Sequence, residues 1–279
     1  MTRQEGGKRL RGIPVKNERS SVPVISIITV VYNNREFLEK TIKSIVAQTY
    51  PNIEYIIIDG CSTDGTLDVI KAYNDKVAYW ISEIDSGIYD AMNKGLNCAT
   101  GDYIWFINAG DQIKQSDTLQ SIIKQDPAID VYYGDTMLID ENDNYLGMRR
   151  LRPPQKLSWK SLGMGLVVCH QALIIKRALV SKYNLKYLIA ADFDWVMNAL
   201  KKSSQILNTR TVLIKYMQEG FSRHHVAKAL SERFFIMQKN YGIIQTLYFH
   251  FRITVRLAVF FLKRKLVPVF GFNKRDNPH

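Results

Sequence analysis

The first hundred residues alternate between apolar runs and segments with helical periodicity. Residues 24–31 and 53–58 consist largely of Val and Ile, which is typical of strands buried on both faces of a sheet. Between them the apolar side chains Phe37, Leu38 and Ile42 recur at helical spacing. This part of the chain therefore predicts a strand, a helix and a second strand.

The same alternation continues as far as residue 107. The pattern predicts strands at 77–81 and 103–107, a short helix opened by Asp64, and a longer helix over 88–99. Four strands joined by helices and short connections predict the α/β class, with a parallel sheet covered by helices on both faces.

Polar residues follow all four predicted strands. They are Tyr32, Asn33 and Asn34, then Asp59, then Glu83 and Asp85, then Asn108 and Asp111. In open α/β sheets, ligands bind beyond the carboxyl ends of the strands. We therefore expect these side chains to meet in one crevice.

The second half of the chain has a weaker pattern. Residues 136–139 and 145–149 predict two short strands joined by a turn, and 172–175 predicts another strand. Helices are predicted from Ala191 to Lys202 and over 226–241. Residues 1–22 are polar and basic without periodicity, which predicts a flexible tail.

Charge is distributed unevenly. The net charge is +12, and residues 1–200 hold equal numbers of basic and acidic side chains, so the whole excess lies in residues 201–279. Such an asymmetry indicates an anionic partner, either a membrane surface or a nucleic acid. No recognised nucleic-acid-binding module accompanies the basic segment, so we expect no nucleic-acid partner.

Cysteine usage and the N-terminus bear on the compartment. The three cysteines show neither paired nor metal-ligand spacing, which predicts a reducing compartment without disulfides. The N-terminus lacks the apolar run of a signal peptide. We therefore expect a cytoplasmic protein.

The C-terminal segment mixes large apolar and basic side chains over residues 243–270. Its charge-free run Leu257–Leu262 is far shorter than the roughly 20 apolar residues that a spanning helix needs. One interpretation is an amphipathic helix on an anionic leaflet at the inner face of a membrane. The other is a helix packed on protein.

Asp111 is the candidate metal ligand. It comes three residues after Asn108, just beyond a buried strand, where carboxylates suit the hard cations Mg²⁺ and Mn²⁺. The same residues, Asn-Ala-Gly-Asp, also form a good turn without any metal. The acidic ends of the other strands favour the metal.

Asp59 and the turn Asp85–Gly87 are candidate ligand-binding elements. Asp59 could accept hydrogen bonds from a base or a ribose, or it could cap the following helix. The Asp85–Gly87 turn precedes a helix whose N-terminus favours a polar or anionic ligand. Asp90 and Lys94 lie one helical turn apart and could simply pair on the surface.

Asp192 and Asp194 open a predicted helix, where acids are favoured by the helix dipole. Asp192 could instead act as a general base, because a carboxylate of ordinary pKa is already ionised near neutral pH. His170 stands alone beside a strand, so a structural role is its default interpretation.

Ordered motifs along most of the chain resemble glycosyltransferase family 2, the inverting nucleotide-sugar transferases of the GT-A fold. The motifs occupy residues 26–33, 44–54, 58–66 and 85–95, and the resemblance covers roughly residues 23–240. The form Gly-Ile-Tyr-Asp-Ala-Met-Asn-Lys-Gly is similar to the branch that builds bacterial exopolysaccharide and O-antigen repeat units.

The resemblance implies roles for individual residues. Asp111 would hold Mn²⁺ or Mg²⁺, Asp192 would be the catalytic base, and His170 and Gln171 would lie near the acceptor. The implied donor-binding residues are Thr29, Tyr32, Asn33, Asp59, Asp85, Gly87, Asp90, Asn93, Lys94 and Asn108.

Three positions depart from the family pattern. Asn108 stands where the family often has an acid, and Ala191 stands where it has a Glu. Gly220-Phe221-Ser222 resembles the family's Gly-Gly-x-Ser loop, with Phe221 in place of the second Gly.

The resemblance also implies a domain plan and a reaction. The expected domain plan comprises a flexible tail over 1–22, a catalytic domain over 23–225 with a GT-A-type, mostly parallel sheet, and an amphipathic helical appendage over 226–279. The reaction would transfer sugar from a nucleotide-sugar donor, UDP-sugar before GDP-sugar, to a glycan or a polyprenyl-diphosphate-linked acceptor.

Two other functions remain open from the sequence. A sugar-phosphate nucleotidyltransferase shares the nucleotide-binding α/β layout, but it would want a Gly-rich basic loop where this chain has Tyr32-Asn33-Asn34. A transferase-like binding module without catalysis is favoured only by the departures at Asn108 and Ala191.

Overall fold

The computed structural model describes residues 3–14, 22–123, 128–218 and 226–266. The predicted Gly220–Ser222 loop therefore lies outside the described residues. The chain divides into two compact units, Met1–Arg233 and Phe234–His279.

The described strands form a single ten-stranded sheet in the order β1-β4-β3-β2-β5-β9-β7-β10-β6, with β8 paired to β7. The strands are β1 Gln4–Gly6, β2 Ile25–Val31, β3 Ile53–Asp59, β4 Tyr79–Ser82, β5 Tyr103–Phe106, β6 Gln112–Ile113, β7 Val131–Ile139, β8 Tyr145–Met148, β9 Leu173–Lys176 and β10 Ile206–Met217.

Helices connect and flank these strands. The α-helices are α1 Arg35–Val46, α2 Thr66–Ala72, α3 Ile88–Cys98, α4 Thr118–Ile122, α5 Ala191–Lys202, α6 Val226–Tyr241 and α7 Ile243–Leu266. Short 3₁₀ turns occur at Lys8–Arg11, Trp159–Met164, His170–Ala172 and Arg177–Leu179.

The predicted α/β class is confirmed. Strands β4, β3, β2 and β5 are parallel neighbours, and β7 and β10 run in the same direction as these four. The antiparallel strand β9 lies between β5 and β7. The sheet is thus mixed but mostly parallel, and the carboxyl ends of its parallel strands meet at one edge.

Close packing positions helix α3 on the sheet. All seven residues of β2 are buried, as its unbroken apolar run predicts. Gly95 of α3 lies so close to β2 that a Cβ atom there would come within 2.5 Å of the Ile28 side chain. This contact holds α3 against β2 and β3, with its N-terminus at the carboxyl edge of the sheet.

The N-terminal segment differs from the prediction of a flexible tail. Strand β1 pairs antiparallel with β4 at the edge of the sheet. The guanidinium of Arg9 forms an ion pair with the fully buried carboxylate of Glu54 and donates to the Cys98 carbonyl. A charged partner offsets the cost of burying a carboxylate, and for Glu54 this partner comes from a residue distant in sequence.

The strand β10 was not predicted from the sequence. Its residues are mostly half-buried, and its pairing with β7 is interrupted by register shifts near Asn208 and Val212. Arg210 there adopts a positive φ of 57°. An interrupted strand of this kind has no clean period-two pattern.

The second unit contains the C-terminal half of α6 and all of α7. Within the part of the chain that the structure describes, no helix combines the length and apolar character needed to cross a membrane. The predicted helix over 226–241 is confirmed by α6.

Candidate active site

Two adjoining cavities lie at the carboxyl edge of the sheet. The larger has a volume of about 760 Å³ and the smaller about 380 Å³. Both are lined by Ile88, Tyr89, Asn108, Ala109, Leu188 and Ile189. Because they share these walls, the two cavities form one crevice with two compartments.

The larger cavity lies between the end of β2 and the start of α3. Tyr32, which is 66% exposed, follows β2 and lines it. The turn that precedes α3 is held by two local hydrogen bonds, from the Gly87 N–H to Asp85 Oδ1 (2.9 Å) and from the Ser86 N–H to Asp90 Oδ2 (3.0 Å). An exposed aromatic ring beside such a polar turn suits a planar base with polar substituents.

Asp85, rather than Asp59, presents a carboxylate to this cavity. Asp59 is fully buried and accepts hydrogen bonds from the hydroxyls of Ser62 (2.5 Å) and Ser82 (2.6 Å). Asp85 lines the cavity and packs closely against Gly60. A Cβ atom on Gly60 would lie only 2.5 Å from Asp85 Oδ2. Burial raises the pKa of Asp85. The contact of Asp59 with a base stays a prediction.

Thr29 and Asn33 make local contacts beside the larger cavity. The buried hydroxyl of Thr29 donates to the Ile107 carbonyl at 2.7 Å, which joins β2 to the end of β5. Asn33 adopts a positive φ of 45° and accepts a hydrogen bond from the Thr63 N–H at 2.8 Å. Thr29 joins two strands and Asn33 joins two loops, neither lines the cavity, and their contact with a donor stays a prediction.

Asn93 and Lys94 are engaged elsewhere in the fold. The Asn93 amide exchanges two hydrogen bonds with the backbone of Tyr183, at 3.0 and 2.7 Å. The Lys94 ammonium donates to the Ile84 carbonyl (2.6 Å) and pairs with Glu83 (3.1 Å). Each stabilises a segment that borders the crevice, and their direct contact with a donor stays a prediction.

The turn after β5 delivers Asp111 to the smaller cavity. The Asp111 N–H donates to the Asn108 carbonyl at 2.9 Å, and Gly110 between them has a φ of 104°, which favours glycine. The hydroxyl of Thr41 on α1 donates to the Asp111 carbonyl at 2.8 Å. The turn predicted from Asn-Ala-Gly-Asp is therefore present, and it carries the carboxylate.

The Asp111 carboxylate is buried with few donors. Its Oδ1 accepts the Met217 N–H at 3.1 Å, and Gln171 donates a side-chain hydrogen bond to it. Burial raises the pKa of Asp111 to about 8. Without a compensating charge this group is therefore largely protonated near neutral pH, and a bound cation would favour its ionised form.

Asn108 and Asp111 together fit a divalent cation. The side-chain oxygen of Asn108 is buried and has no hydrogen-bond partner among the described residues. Both residues line the smaller cavity, and carboxylate and amide oxygens are ligands that Mg²⁺ and Mn²⁺ accept. The described residues contain no cluster of three or more His, Cys, Asp or Glu that could hold a metal, so phosphate and water oxygens would complete the coordination.

Asp192 lies in the same cavity as Asp111. It is the second residue of α5, and its Oδ1 accepts the Phe193 N–H at 2.7 Å. It is half-buried, so one side of the carboxylate is open to the cavity. Asp111 and Asp192 therefore line one cavity, whereas Asp59, which the sequence predicts to lie in the same crevice as Asp111, lines neither cavity.

His170 and Gln171 also line the smaller cavity. The buried His170 ring stacks on Phe106 with centroids 5.3 Å apart, and its Nε2 lies 2.6 Å from the Tyr183 hydroxyl. Burial lowers the pKa of His170 to about 4, so the imidazole is neutral at physiological pH. Its structural role is thereby supported, while Gln171 orients Asp111.

Glu232 is an important residue that sequence reasoning missed. Its buried carboxylate accepts the backbone N–H groups of Leu188, Ile189 and Ala190 at 2.9–3.0 Å. These residues precede Asp192, and the first two form the wall shared by both cavities. Glu232 is the sole acid in α6, a signal that could have identified it.

We expect Glu232→Gln to destabilise the first unit by about 2 kcal/mol, because hydrogen bonds to a charged acceptor are worth about 1.5–3 kcal/mol. Burial alone would raise the pKa of Glu232, but the N–H donors of Ile189, Leu188 and Ala190 hold it below its ordinary value. The ionised form is thus favoured by folding, and its contribution is lost as pH falls through that lowered pKa. Urea unfolding at pH 7 and at pH 4 measures both effects.

Lys228→Ala provides the matched control. Lys228, whose side chain is 55% exposed, pairs with the buried Glu232 carboxylate at 3.7 Å, and a pair whose cation lies in solvent contributes little. Equal stability of Glu232→Gln and Lys228→Ala at pH 7 would contradict the anchoring role of Glu232.

Two relatives described as glycosyltransferases align with about three quarters of this chain. A curated but uncharacterized glycosyltransferase of Mycobacterium tuberculosis is 33% identical over 220 residues, covering 76% of this chain and 81% of the relative. A PGL/p-HBAD biosynthesis glycosyltransferase of Mycobacterium bovis is 30% identical over 224 residues, covering 76% of this chain and 84% of the relative.

Solved structures share the fold at lower identity. Staphylococcus aureus TarS 1–349 in complex with UDP matches with a TM-score of 0.60 and 17% identity, covering 83% of this chain and 70% of the TarS 1–349 chain. The mannosyltransferase PcManGT of Pyrobaculum calidifontis, in complex with GDP-Man and Mn²⁺, matches with a TM-score of 0.58 and 17% identity, covering 88% of this chain and 76% of PcManGT.

The family model described as glycosyl transferase family 2 matches residues 26–183, which is more than half of the chain and includes the strand ends, the α3 turn and Asp111. The sequence motifs, the fold and the similar proteins all indicate the same family. This chain belongs to glycosyl transferase family 2.

Proposed function

We propose that this enzyme transfers a sugar from a nucleotide-sugar donor to a hydroxyl of a glycan or lipid-linked saccharide, with inversion, in the synthesis of a bacterial surface polysaccharide. The observation that carries the proposal is that Asp111 and Asp192 line one cavity, which adjoins a larger cavity with an exposed aromatic ring. Family membership favours glycosyl transfer over nucleotidyl transfer.

The donor would span both compartments. Its base and ribose would occupy the larger cavity near Tyr32 and Asp85, and its diphosphate would lie by the shared wall at Asn108 and Ala109. A UDP-sugar is the favoured donor and a GDP-sugar the alternative, since the TarS structure contains UDP and the PcManGT structure GDP-Man.

Asn108 and Asp111 would hold the divalent cation, Mn²⁺ or Mg²⁺. When bound, that ion supplies charge that stabilises the departing nucleoside diphosphate. Gln171 and the Met217 N–H keep the Asp111 carboxylate directed into the cavity.

Asp192 would act as the general base. It would take the proton from the acceptor hydroxyl while that oxygen bonds to the anomeric carbon. The bond from the same carbon to the diphosphate oxygen breaks on the opposite face, and its electron pair leaves with the nucleoside diphosphate. One displacement inverts the configuration, so no covalent enzyme intermediate is needed.

The direct test measures nucleoside diphosphate release from a panel of nucleotide sugars, with Mn²⁺ and with EDTA. The same panel is screened for thermal stabilisation, because a ligand of the native state raises its melting temperature. If none of the nucleotide sugars stabilises the protein, the proposal is wrong.

Tyr32→Ala should weaken binding of the matching nucleoside diphosphate by about 10-fold, since stacking of a base on an aromatic ring is worth about 1–3 kcal/mol. Tyr145→Ala is the matched control, because Tyr145 is 60% exposed and lines neither of the two cavities. Isothermal titration of both variants measures the difference. Unchanged affinity in Tyr32→Ala would exclude a stacking role.

We also propose that the second unit binds an anionic membrane surface at the inner face of the bacterial plasma membrane. Large exposed side chains of α7 recur at helical spacing and form an apolar stripe; they are Ile244, Leu247, Tyr248, Phe251 and Val255. The excess of basic residues in the C-terminal segment complements anionic lipid.

Sedimentation with lipid vesicles tests this proposal. Wild-type protein should sediment with phosphatidylglycerol vesicles more than with phosphatidylcholine vesicles, and Phe251→Glu should reduce sedimentation at least about 5-fold. The control Leu146→Glu changes an exposed leucine of β8. Equal loss in both variants would count against a role for the stripe.

A further inference from the structure

Two arginines line the smaller cavity, and among the described residues neither has a carboxylate in an ion pair with it. Arg149 follows β8, and Arg233 lies on α6. Neither forms an ion pair with a described acid. A guanidinium inside a cavity is costly unless its charge is paired or solvated, so these two require an explanation.

Arg149 is held in place by backbone carbonyls. Its two terminal nitrogens donate to the carbonyls of Leu151 (2.9 Å) and Leu166 (2.7 Å). These bonds fix the plane of the guanidinium, and no described acid forms an ion pair with it. A charge that is positioned and not neutralised is suited to an anionic ligand.

Arg233 has an unused donor. Its Nε is buried and has no hydrogen-bond partner among the described residues, while its guanidinium carbon lies 6.0 Å from the centre of the Phe193 ring. The adjacent Glu232 ties this part of α6 to residues 188–190. Arg233 is therefore held beside the loop that leads to Asp192.

Both arginines lie away from the nucleotide compartment. They line the smaller cavity, and neither lines the larger one, where the lining cation is Lys228 with its partner Glu232. Leu138, Leu166 and Cys169 also line the smaller cavity and not the larger one. This is the part of the crevice where an acceptor would approach Asp192.

We propose that Arg149 and Arg233 form a subsite for a phosphoryl group of the acceptor, next to Asp192. Guanidinium groups from two elements can contact several oxygens of one tetrahedral anion. The proposal rests on the proposed function, which makes the smaller cavity the acceptor compartment. An acceptor that carries a phosphate or diphosphate ester, whether on a lipid or on a sugar, has the required chemistry.

Inorganic phosphate is the probe that tests the subsite. Its affinity is measured by titration at constant ionic strength, with and without saturating UDP and Mg²⁺, in wild type and in Arg149→Gln, Arg233→Gln and Arg150→Gln. Arg150 is the matched control, because it is the next residue in the chain, is exposed and lines neither cavity. We expect about 10-fold or greater loss of phosphate affinity in the first two variants, with wild-type affinity in the control.

Three results would overturn the subsite: equal phosphate affinity in all variants, a phosphate affinity in wild type no higher than that for chloride, or abolition of phosphate binding by UDP. The last would assign the arginines to the donor's diphosphate. Retained thermal stabilisation by UDP shows that each variant is folded. If UDP fails to bind even wild type, the proposed function fails, and phosphate binding to the free protein still decides the subsite.

Discussion

Asp192→Asn should reduce sugar transfer by about 10³-fold while leaving nucleotide binding intact. General base catalysis contributes about 10²–10⁴-fold, and an amide cannot take the proton of the acceptor hydroxyl. The substitution preserves shape, and an amide oxygen can still accept the Phe193 N–H bond that Asp192 accepts at 2.7 Å. The fold and the N-terminus of α5 should therefore be unchanged.

The measurement compares turnover of the best donor with the thermal shift that its nucleoside diphosphate produces. Asp194→Asn is the matched control, since Asp194 lies in the same first turn of α5 and accepts a hydrogen bond from the Asn198 amide, and it lines neither cavity. Full activity of Asp192→Asn would remove this residue from the mechanism. Equal losses in both variants would indicate a structural effect on the helix.

Asp111→Asn should abolish turnover and also remove the response to Mn²⁺. The buried Asp111 carboxylate and the Asn108 amide oxygen are the two groups proposed to hold the cation in the smaller cavity, and an amide at position 111 would lack the charge that attracts a cation. Because burial raises the pKa of Asp111 to about 8, the metal-free protein already holds a largely neutral group at pH 7. Without metal, the variant should be as stable as wild type or more stable.

Thermal unfolding with increasing Mn²⁺ in the presence of UDP separates these effects. Wild type should gain stability with metal, and Asp111→Asn should not. Asp117→Asn, an exposed acid six positions later, should respond like wild type. An undiminished Mn²⁺ response in Asp111→Asn would refute the role of this carboxylate.

The parallel strands at the core of the fold could be predicted from the local pattern of apolar residues. Strands β2 and β3 are continuous apolar runs, and a buried parallel strand must be apolar on both faces. Strand β10 was missed because its residues are half-buried and its register shifts remove any simple periodicity. The N-terminal segment forms a strand, and not the predicted flexible tail, because β1 pairs with β4 and Arg9 forms an ion pair with Glu54. Both are contacts between segments distant in sequence.

The candidate site residues also divide into those that the sequence identifies and those whose contacts only the structure reveals. Asp111 and Asp192 were identifiable because each stands at the end of a strand or the start of a helix, where position follows from the local sequence. Asp59 and Asn93 carry the family motif, yet their polar atoms are occupied by serines and by the Tyr183 backbone. Which neighbour satisfies a buried polar group cannot be derived from its own segment.

The amino-acid pattern alone determines the α/β class, the edge of the sheet where the candidate site lies, and the family, because apolar runs, turn residues and motifs are local properties of a chain. Three-dimensional packing assigns Asp85 rather than Asp59 to the wall of the larger cavity, anchors residues 188–190 on Glu232, and brings Arg149 and Arg233 into one compartment. Those arrangements arise from contacts between residues far apart in sequence, and hydrogen bonding and charge in a buried crevice depend on such contacts.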